Sequence, residues 1–369
     1  MKILVTGAHG FIGKNLISEL KNRNYTEIFE YDINTKSDLI NQYCRQADFV
    51  FHLAGVNRPK KESEFMEGNF EFTSILLDTL KKSHNTCPVM IASSTQAVLK
   101  NPYGASKKAG EQLLVDYAKE TGTKILIYRF PNVFGKWCKP NYNSVIATFC
   151  HNIAREMPIT VTDPTVKMNL IYIDDVVNEL INALDGNENK AAKLCEVKPV
   201  HEMTLGGIVD LVYSFKESRE LRSIPDMSDS FSKKLYSTYL SYLPESEFSY
   251  ELRMNKDVRG SFTEFIKTPD RGQVSINILK PGSTKGNHWH HTKNEKFLVV
   301  AGIGVIRFRK MSSDKVIEYF VSSEKLEVVD IPVGYTHNIE NLGTSDMVTI
   351  MWVNEVFDLE KPDTYFVEV

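Results

Sequence analysis

Two sets of residues in this chain have the type and spacing to do chemistry. The first is Ser94, Tyr103 and Lys107. Ser93-Ser94-Thr95 closes an extended run that begins at Val89, and Tyr103-Gly-Ala-Ser-Lys107 opens a helical stretch. A Tyr and a Lys four apart share one helix face, so the ammonium is expected to lower the phenol pKa from about 10. A hydroxyl on the neighbouring strand can bond the same carbonyl oxygen. The set suits proton donation to a carbonyl that is receiving hydride. Ser93, Ser94 and Thr95 are the candidates for that hydroxyl.

The second set is His288, His290, Glu295 and His337. Gly282 to Gly302 fits G-x5-H-x-H-x4-E-x6-G, and Pro332 to Asn341 fits P-x-G-x-x-H-x3-N. In a strand, His288 and His290 face the same side because side chains alternate with period two. Glu295 on the next strand and His337 from a later hairpin complete three imidazoles and one carboxylate. Borderline divalent ions suit that set; Zn2+ is the expected one, with iron, manganese and nickel also matching the ligand type. His291 faces the opposite side and reads as a surface residue.

The elements that must position these groups differ between the two halves. Val5-Thr6-Gly7-Ala8-His9-Gly10-Phe11-Ile12-Gly13 spells T-G-x-x-G-x-x-G between a strand and a helix. Such a turn lets backbone N–H groups and the helix N-terminus hold a pyrophosphate, which makes Gly7, His9, Gly10, Phe11 and Ile12 cofactor-binding candidates. Asp32 ends the second strand, where a carboxylate contacts the adenosine ribose and favours NAD. Lys36 lies close enough in sequence to hold a 2′-phosphate instead. Strands read from Ile3, Glu27, Asp48, Val89 and Lys124, alternating with helical spacers, imply βαβ units and a parallel sheet. From about Glu264 the chain becomes short strands separated by Gly, Pro, Asn and Asp, which argues an antiparallel barrel or sandwich. Lys216 to Tyr250 reads as the last helix of the first domain plus a connector.

Composition narrows the classes. With 42% apolar and 25% charged residues the chain is globular, and its 369 residues suit two or three domains. A net charge of -3 gives no basic bias toward nucleic acid or a membrane surface. The five scattered cysteines form no C-x-x-C pair and indicate neither a disulfide framework nor a cysteine-rich zinc module. The apolar run Phe297 to Ile306 is about half of the ~20 residues a membrane span needs. A cytoplasmic location is therefore expected.

With these motifs in place, residues 1–240 resemble the extended short-chain dehydrogenase/reductase family, whose members act mostly on nucleotide sugars. His52-Leu53-Ala54-Gly55 resembles its strand end beside the cofactor, adding Leu53 and Ala54 to the cofactor-binding candidates. Arg129-Phe130-Pro131-Asn132-Val133-Phe134-Gly135 resembles its R-x-x-N-V-x-G segment. Ile171 to Val177 resembles its late Y-x-D-D motif, with Asp174-Asp175 read as a helix N-terminal cap. The resemblance implies that Tyr103 is the acid, that Lys107 also holds the ribose, and that Ser94 positions the carbonyl. Residues 255–369 resemble the cupin superfamily, with one departure: Leu326 stands where the second motif normally opens with Gly. The implied architecture is an α/β Rossmann-type doubly wound parallel sheet over 1–243, then an all-β cupin jelly-roll barrel over 244–369.

The order of the halves resembles a family of bifunctional capsular-polysaccharide enzymes of the UDP-L-fucosamine branch. That resemblance implies C3 epimerisation of a UDP-4-keto-6-deoxy-2-acetamido-hexose by the cupin half. The other half would then reduce C4 with NADPH, NAD being the alternative, to UDP-2-acetamido-2,6-dideoxy-β-L-talose. Lys296, Tyr335, His337 and Glu295 are the unranked candidates for epimerase acid and base. A homodimer is expected, because barrel edge strands need covering. Two competing readings are a reductase fused to a metal-dependent cupin oxygenase or isomerase of another substrate, and an NADP or sugar sensor without turnover. Ser94, Tyr103 and Lys107 argue against the sensor, which needs no proton donor.

Overall fold

Strand residues that alternate between two buried faces give the first half its layered sheet. The computed structural model describes residues 1–369. The chain opens with β1 (Lys2–Thr6), α1 (Phe11–Asn22), β2 (Glu27–Tyr31), α2 (Leu39–Gln46), β3 (Phe49–His52) and α3 (Ser63–Met66). It continues with α4 (Phe72–Lys82), β4 (Val89–Ser94), α5 (Pro102–Thr121), β5 (Ile125–Phe130), β6 (Asn132–Phe134) and α6 (Val145–Ala154). Then come β7 (Lys167–Tyr172), α7 (Ile173–Leu184), β8 (Lys190–Ala191), β9 (Leu194–Cys195), β10 (His201–Thr204), α8 (Leu205–Leu221) and α9 (Ser230–Leu240).

The main sheet runs β2-β1-β3-β4-β5-β9-β8, and its pairs are parallel except β8 with β9. Ile3 and Val5 of β1 pack with α1 and α7 through Leu16, Leu20, Val176 and Leu180. Leu4, between them, packs on the other face with Ile40 of α2, Leu76 and Leu80 of α4, and Leu114 of α5. Helices on both faces are what a parallel sheet requires, and the expected Rossmann-like α/β architecture is present.

Two compact units result: Met1–Tyr213 with Ser228–Pro244, and Ser214–Met227 with Glu245–Val369. The stretch read as one helix plus a connector holds the end of α8, all of α9, and a segment that goes with the second unit. That segment is tied to the second unit by charge and backbone: Arg222 lies 3.0 Å from Glu264, and Ser223 bridges to Lys267.

The second unit is all-β and antiparallel. Its strands are β11 (Met254–Asp257), β12 (Gly260–Thr268), β13 (Gly272–Leu279), β14 (Thr284–Trp289), β15 (Glu295–Ala301) and β16 (Ile303–Lys310), followed by β17 (Val316–Ser322), β18 (Val328–Ile331), β19 (Tyr335–Asn341), β20 (Met347–Val353) and β21 (Tyr365–Phe366). They form sheets β11-β12-β13-β20-β15-β18 and β17-β16-β19-β14-β21. Phe297 and Val299 of the first sheet meet Ile306, Phe308 and Ile339 of the second in a shared apolar core.

One buried polar group ties the first unit together. His52, at the end of β3, has Nδ1 2.7 Å from Thr6 Oγ1 and Nε2 2.8 Å from Thr73 Oγ1. Burial lowers its pKa to about 3. The unfolded chain, with His at about 6.5, then binds the extra proton between those values, so stability present above pH ~6.5 is lost as pH falls toward ~3. A His52→Gln variant lacks this dependence. The difference in urea unfolding free energy between the two proteins should shrink by about 2 kcal/mol from pH 7.5 to 4.5. A difference that stays constant over that range would reject the buried neutral imidazole.

Candidate active site and metal centre

The glycine turn leaves β1 with Gly7 at φ 69°, a conformation that glycine adopts freely. A Cβ there would sit 2.7 Å from Ala54 N, and one on Gly13 would sit 2.3 Å from Gly7 O. Glycine is therefore required for the turn to pass the Leu53-Ala54 strand end and for α1 to pack against it. Asp32 is already engaged: its Oδ2 accepts from His9 N at 2.7 Å and its Oδ1 from Ile33 N at 2.8 Å. Phe11 and Ile12 begin α1 and pack on the core, while Lys36 is exposed.

Ser94 ends β4 and Tyr103 starts α5, whose cap Asn101 accepts from Gly104 N at 2.7 Å. The Ser94 hydroxyl accepts from Gln96 N at 3.1 Å and is near enough to the Tyr103 phenol to favour its anion. Ser93 is committed elsewhere: its hydroxyl donates to Glu111 at 2.5 Å. Thr95 is exposed and lines a cavity of about 400 Å³ with Arg129, Pro131, Asn169 and Val197. The alternation of β4 thus separates Ser93 from Ser94, and Thr95 follows the end of the strand.

The Tyr–Lys pair differs from the expectation. Lys107 Nζ donates to Ala92 O at 3.1 Å and lies 6.0 Å from the Tyr103 ring centre. Burial raises the phenol pKa above its ordinary value, and the Ser94 hydroxyl offsets part of that rise. Burial also lowers Lys107 to about 8, opposed by the charge of Glu111. Both shifts favour neutral forms.

Two supporting groups carry no motif of their own. Asn69 sits in one π-helical turn, Glu67–Glu71, between α3 and α4. Its side chain bonds Val56 N at 2.9 Å, Val56 O at 2.8 Å and Ser106 Oγ at 3.0 Å. Glu111, one turn beyond Lys107, receives Arg129 Nε at 2.8 Å and Nη2 at 2.5 Å. The i,i+4 step from Lys107 was a usable signal for Glu111; a π turn has none that periodicity shows. Asp174 and Asp175 lie in the first turn of α7 after its cap Tyr172, so neither is the cap. Asp174 pairs with Lys136, and Asp175 with Lys234 at 2.6 Å.

In the second unit β14, β15 and β19 bring His288, His290, Glu295 and His337 together. One ligand atom from each lies within 4.8 Å of all the others. Glu295 Oε2 is 3.1 Å from His337 Nε2 and 3.6 Å from His290 Nε2. Burial lowers His288 to about 4. Burial pushes Glu295 up, yet the imidazoles of His290 and His337 hold it at about 2. His290 Nε2, Glu295 Oε2 and both nitrogens of His337 are buried without a hydrogen-bond partner. Buried polar atoms are normally satisfied, so three converging donor atoms left open, one each from His290, Glu295 and His337, fit a divalent cation. His291 faces away and packs on Trp289 and Tyr365. Lys296 also faces away, paired with Asp330 at 2.5 Å, whereas Tyr335 packs on the apolar core.

Residues 3–194 match the NAD dependent epimerase/dehydratase family and residues 255–365 the polysaccharide biosynthesis C-terminal domain. The chain is 43% identical over 365 residues to a UDP-2-acetamido-2,6-beta-L-arabino-hexul-4-ose reductase of Pseudomonas aeruginosa, covering 99% of this chain and 98% of that protein. The crystal structure of the capsular polysaccharide assembling protein CapF from Staphylococcus aureus matches with TM-score 0.95 and 57% identity, over 100% of both chains. A CapF structure with the inhibitor 3-isopropenyl-tropolone matches with TM-score 0.90 and 54% identity, again over 100% of both.

A clasp from the far end of the chain orients one ligand. The Asp363 carbonyl lies 2.5 Å from His290 Nδ1, leaving Nε2 for the cluster. The Asp363 carboxylate accepts from the backbone N–H groups of His291, Thr292 and Lys293 at 3.0, 2.8 and 3.0 Å. Partners of this kind fix the ring and the tautomer of a metal ligand. An Asp363→Ala variant frees the clasp and should lower Zn2+ affinity by roughly 10–100-fold in chelator competition. Unchanged affinity would show that the clasp plays no part.

Proposed function

The chain belongs to the NAD dependent epimerase/dehydratase family, and from that premise we propose that it is a bifunctional nucleotide-sugar enzyme. Its all-β unit, read as a cupin jelly roll, inverts C3 of a UDP-linked 4-keto-6-deoxy-2-acetamido-hexose. Its first unit reduces the C4 ketone to a hydroxyl, giving UDP-2-acetamido-2,6-dideoxy-L-talose for capsular polysaccharide. One observation carries this reading: a proton-donor constellation and an open three-imidazole, one-carboxylate cluster occur in one chain.

In the first unit, Ser94 and Tyr103 hold the C4 oxygen, and Tyr103 gives it a proton. NADPH supplies the hydride when bound, with the glycine turn, Asp32, Leu53 and Ala54 along its path and NAD as the alternative. Lys107 holds the ribose, and Asn69 and the Glu111–Arg129 pair fix the ground beneath it. In the second unit His288, His290, Glu295 and His337 would hold the ion. An ion such as Zn2+ held there would supply Lewis-acid polarisation of a ketone, the chemistry that makes an adjacent C3 proton removable. The alternation of β15 turns Lys296 outward, so the acid and base of that step are sought among inward-facing groups. The tropolone-bound relative supports a chelatable centre, since the adjacent oxygens of tropolone bind divalent ions.

A Tyr103→Phe variant separates the two steps. In deuterated water it should still exchange the C3 proton, read by NMR, while NADPH oxidation falls at least ~100-fold. Loss of exchange together with oxidation would overturn this division of labour.

A further inference from the structure

The interior of the all-β unit is not uniformly apolar. Phe297, Val299, Phe308 and Ile339 fill one part as expected. The inward faces of β13 and β20 instead carry Gln273, Ser275, Asn277 and Thr349, each no more than 2% exposed. Gln273 Nε2 donates to Ser275 Oγ at 2.9 Å, but Asn277 Nδ2 and Thr349 Oγ1 are buried with no partner. A protein built only for stability would fill this wall with aliphatic side chains.

A cation faces the same wall. The β14–β19 register slips between Gly286 and His288, with Asn287 at φ 57°. The extra residue puts Lys285, opposite the core residue Ile339, on the same side as His288, opposite His337. Lys285 Nζ reaches across to Asn277 Oδ1 at 3.0 Å and Ser261 O at 3.3 Å. Both acceptors are neutral, and Asp257, whose charge reaches Lys285, is itself bonded to Arg259 at 2.7 Å. Lys285 is only half-buried, so its end of this wall reaches the surface.

We infer that Lys285, Asn277 and Thr349 form a substrate-binding wall beside the metal ligands, taking the oxygen-rich face of the sugar ring and its acylamino group. The inference rests on the proposed function. Lys285 donates to sugar oxygens, Asn277 offers its free N–H, and Thr349 donates or accepts.

The test uses the Zn2+-loaded full chain and measures C3 proton–deuterium exchange of the UDP-linked 4-keto sugar. Lys285→Met should raise KM by roughly 10–100-fold and Asn277→Leu by a smaller factor. Metal content should be unchanged, and the Tm should fall by only a few degrees, the loss expected when Asn277 Oδ1 gives up its donor. Wild-type KM in both variants overturns the inference alone. So does a fall in Tm that accounts for the lost exchange and that Lys285→Arg restores. Absence of exchange in the unaltered chain would instead remove the epimerase reading, and this inference with it.

Discussion

A buried imidazole must find partners for two nitrogens, and this constraint sorts the histidines of the chain. His52 has a threonine hydroxyl within 2.8 Å of each nitrogen, and nothing further is needed to explain it. His337 is equally buried, yet neither of its nitrogens has a hydrogen-bond partner. Leaving such a group unpaired costs about 1–3 kcal/mol, more for a charged one. The cost falls where three strands converge on Glu295, and a cation is the partner whose chemistry fits the donors. The same residue type is thus a structural pin in one unit and a ligand in the other. The environment, not the residue, makes the distinction.

Strand geometry delivers those groups. Period-two alternation turns Glu295 inward and its neighbour Lys296 outward, and it separates Ser94 from Ser93 on β4. Where the period is broken, the break has a consequence. The slip in β14 lets Lys285 and His288 share a face that an unbroken strand would deny them. The clasp from Asp363 then constrains the end of that strand, because its carboxylate holds three consecutive N–H groups after His290.

Much of this was legible in the residues. The T-G-x-x-G-x-x-G turn, the Y-x-x-x-K pair and the H-x-H…E…H spacing each encode local geometry, because a turn, a helix face and a strand face have fixed periods. The remainder depends on contacts distant in sequence. Asp363 meets His290 across 73 residues, and Asn69 meets Ser106 through a π turn that no periodicity announces. The allotment of Ser214–Met227 to the second unit follows from Arg222 reaching Glu264, and charge alone gave no reason to pair them. The pKa directions at Tyr103 and Lys107 were not legible either. The i,i+4 rule gives proximity, whereas burial, which decides the outcome, belongs to the tertiary fold.

That last difference bears on the direction of the chemistry. Spacing alone suggested a phenol whose pKa the Lys107 ammonium lowers. Burial does the reverse, and the Ser94 hydroxyl only moderates it. A phenol held above its ordinary pKa keeps its proton at neutral pH and can give it up only to a stronger base. The oxygen of a carbonyl becomes one as hydride adds to its carbon. The desolvated Lys107, at about 8, is still mostly protonated at pH 7 and can replace that proton. As folded, the phenol keeps its proton at neutral pH and so has one to give to a carbonyl oxygen that is receiving hydride.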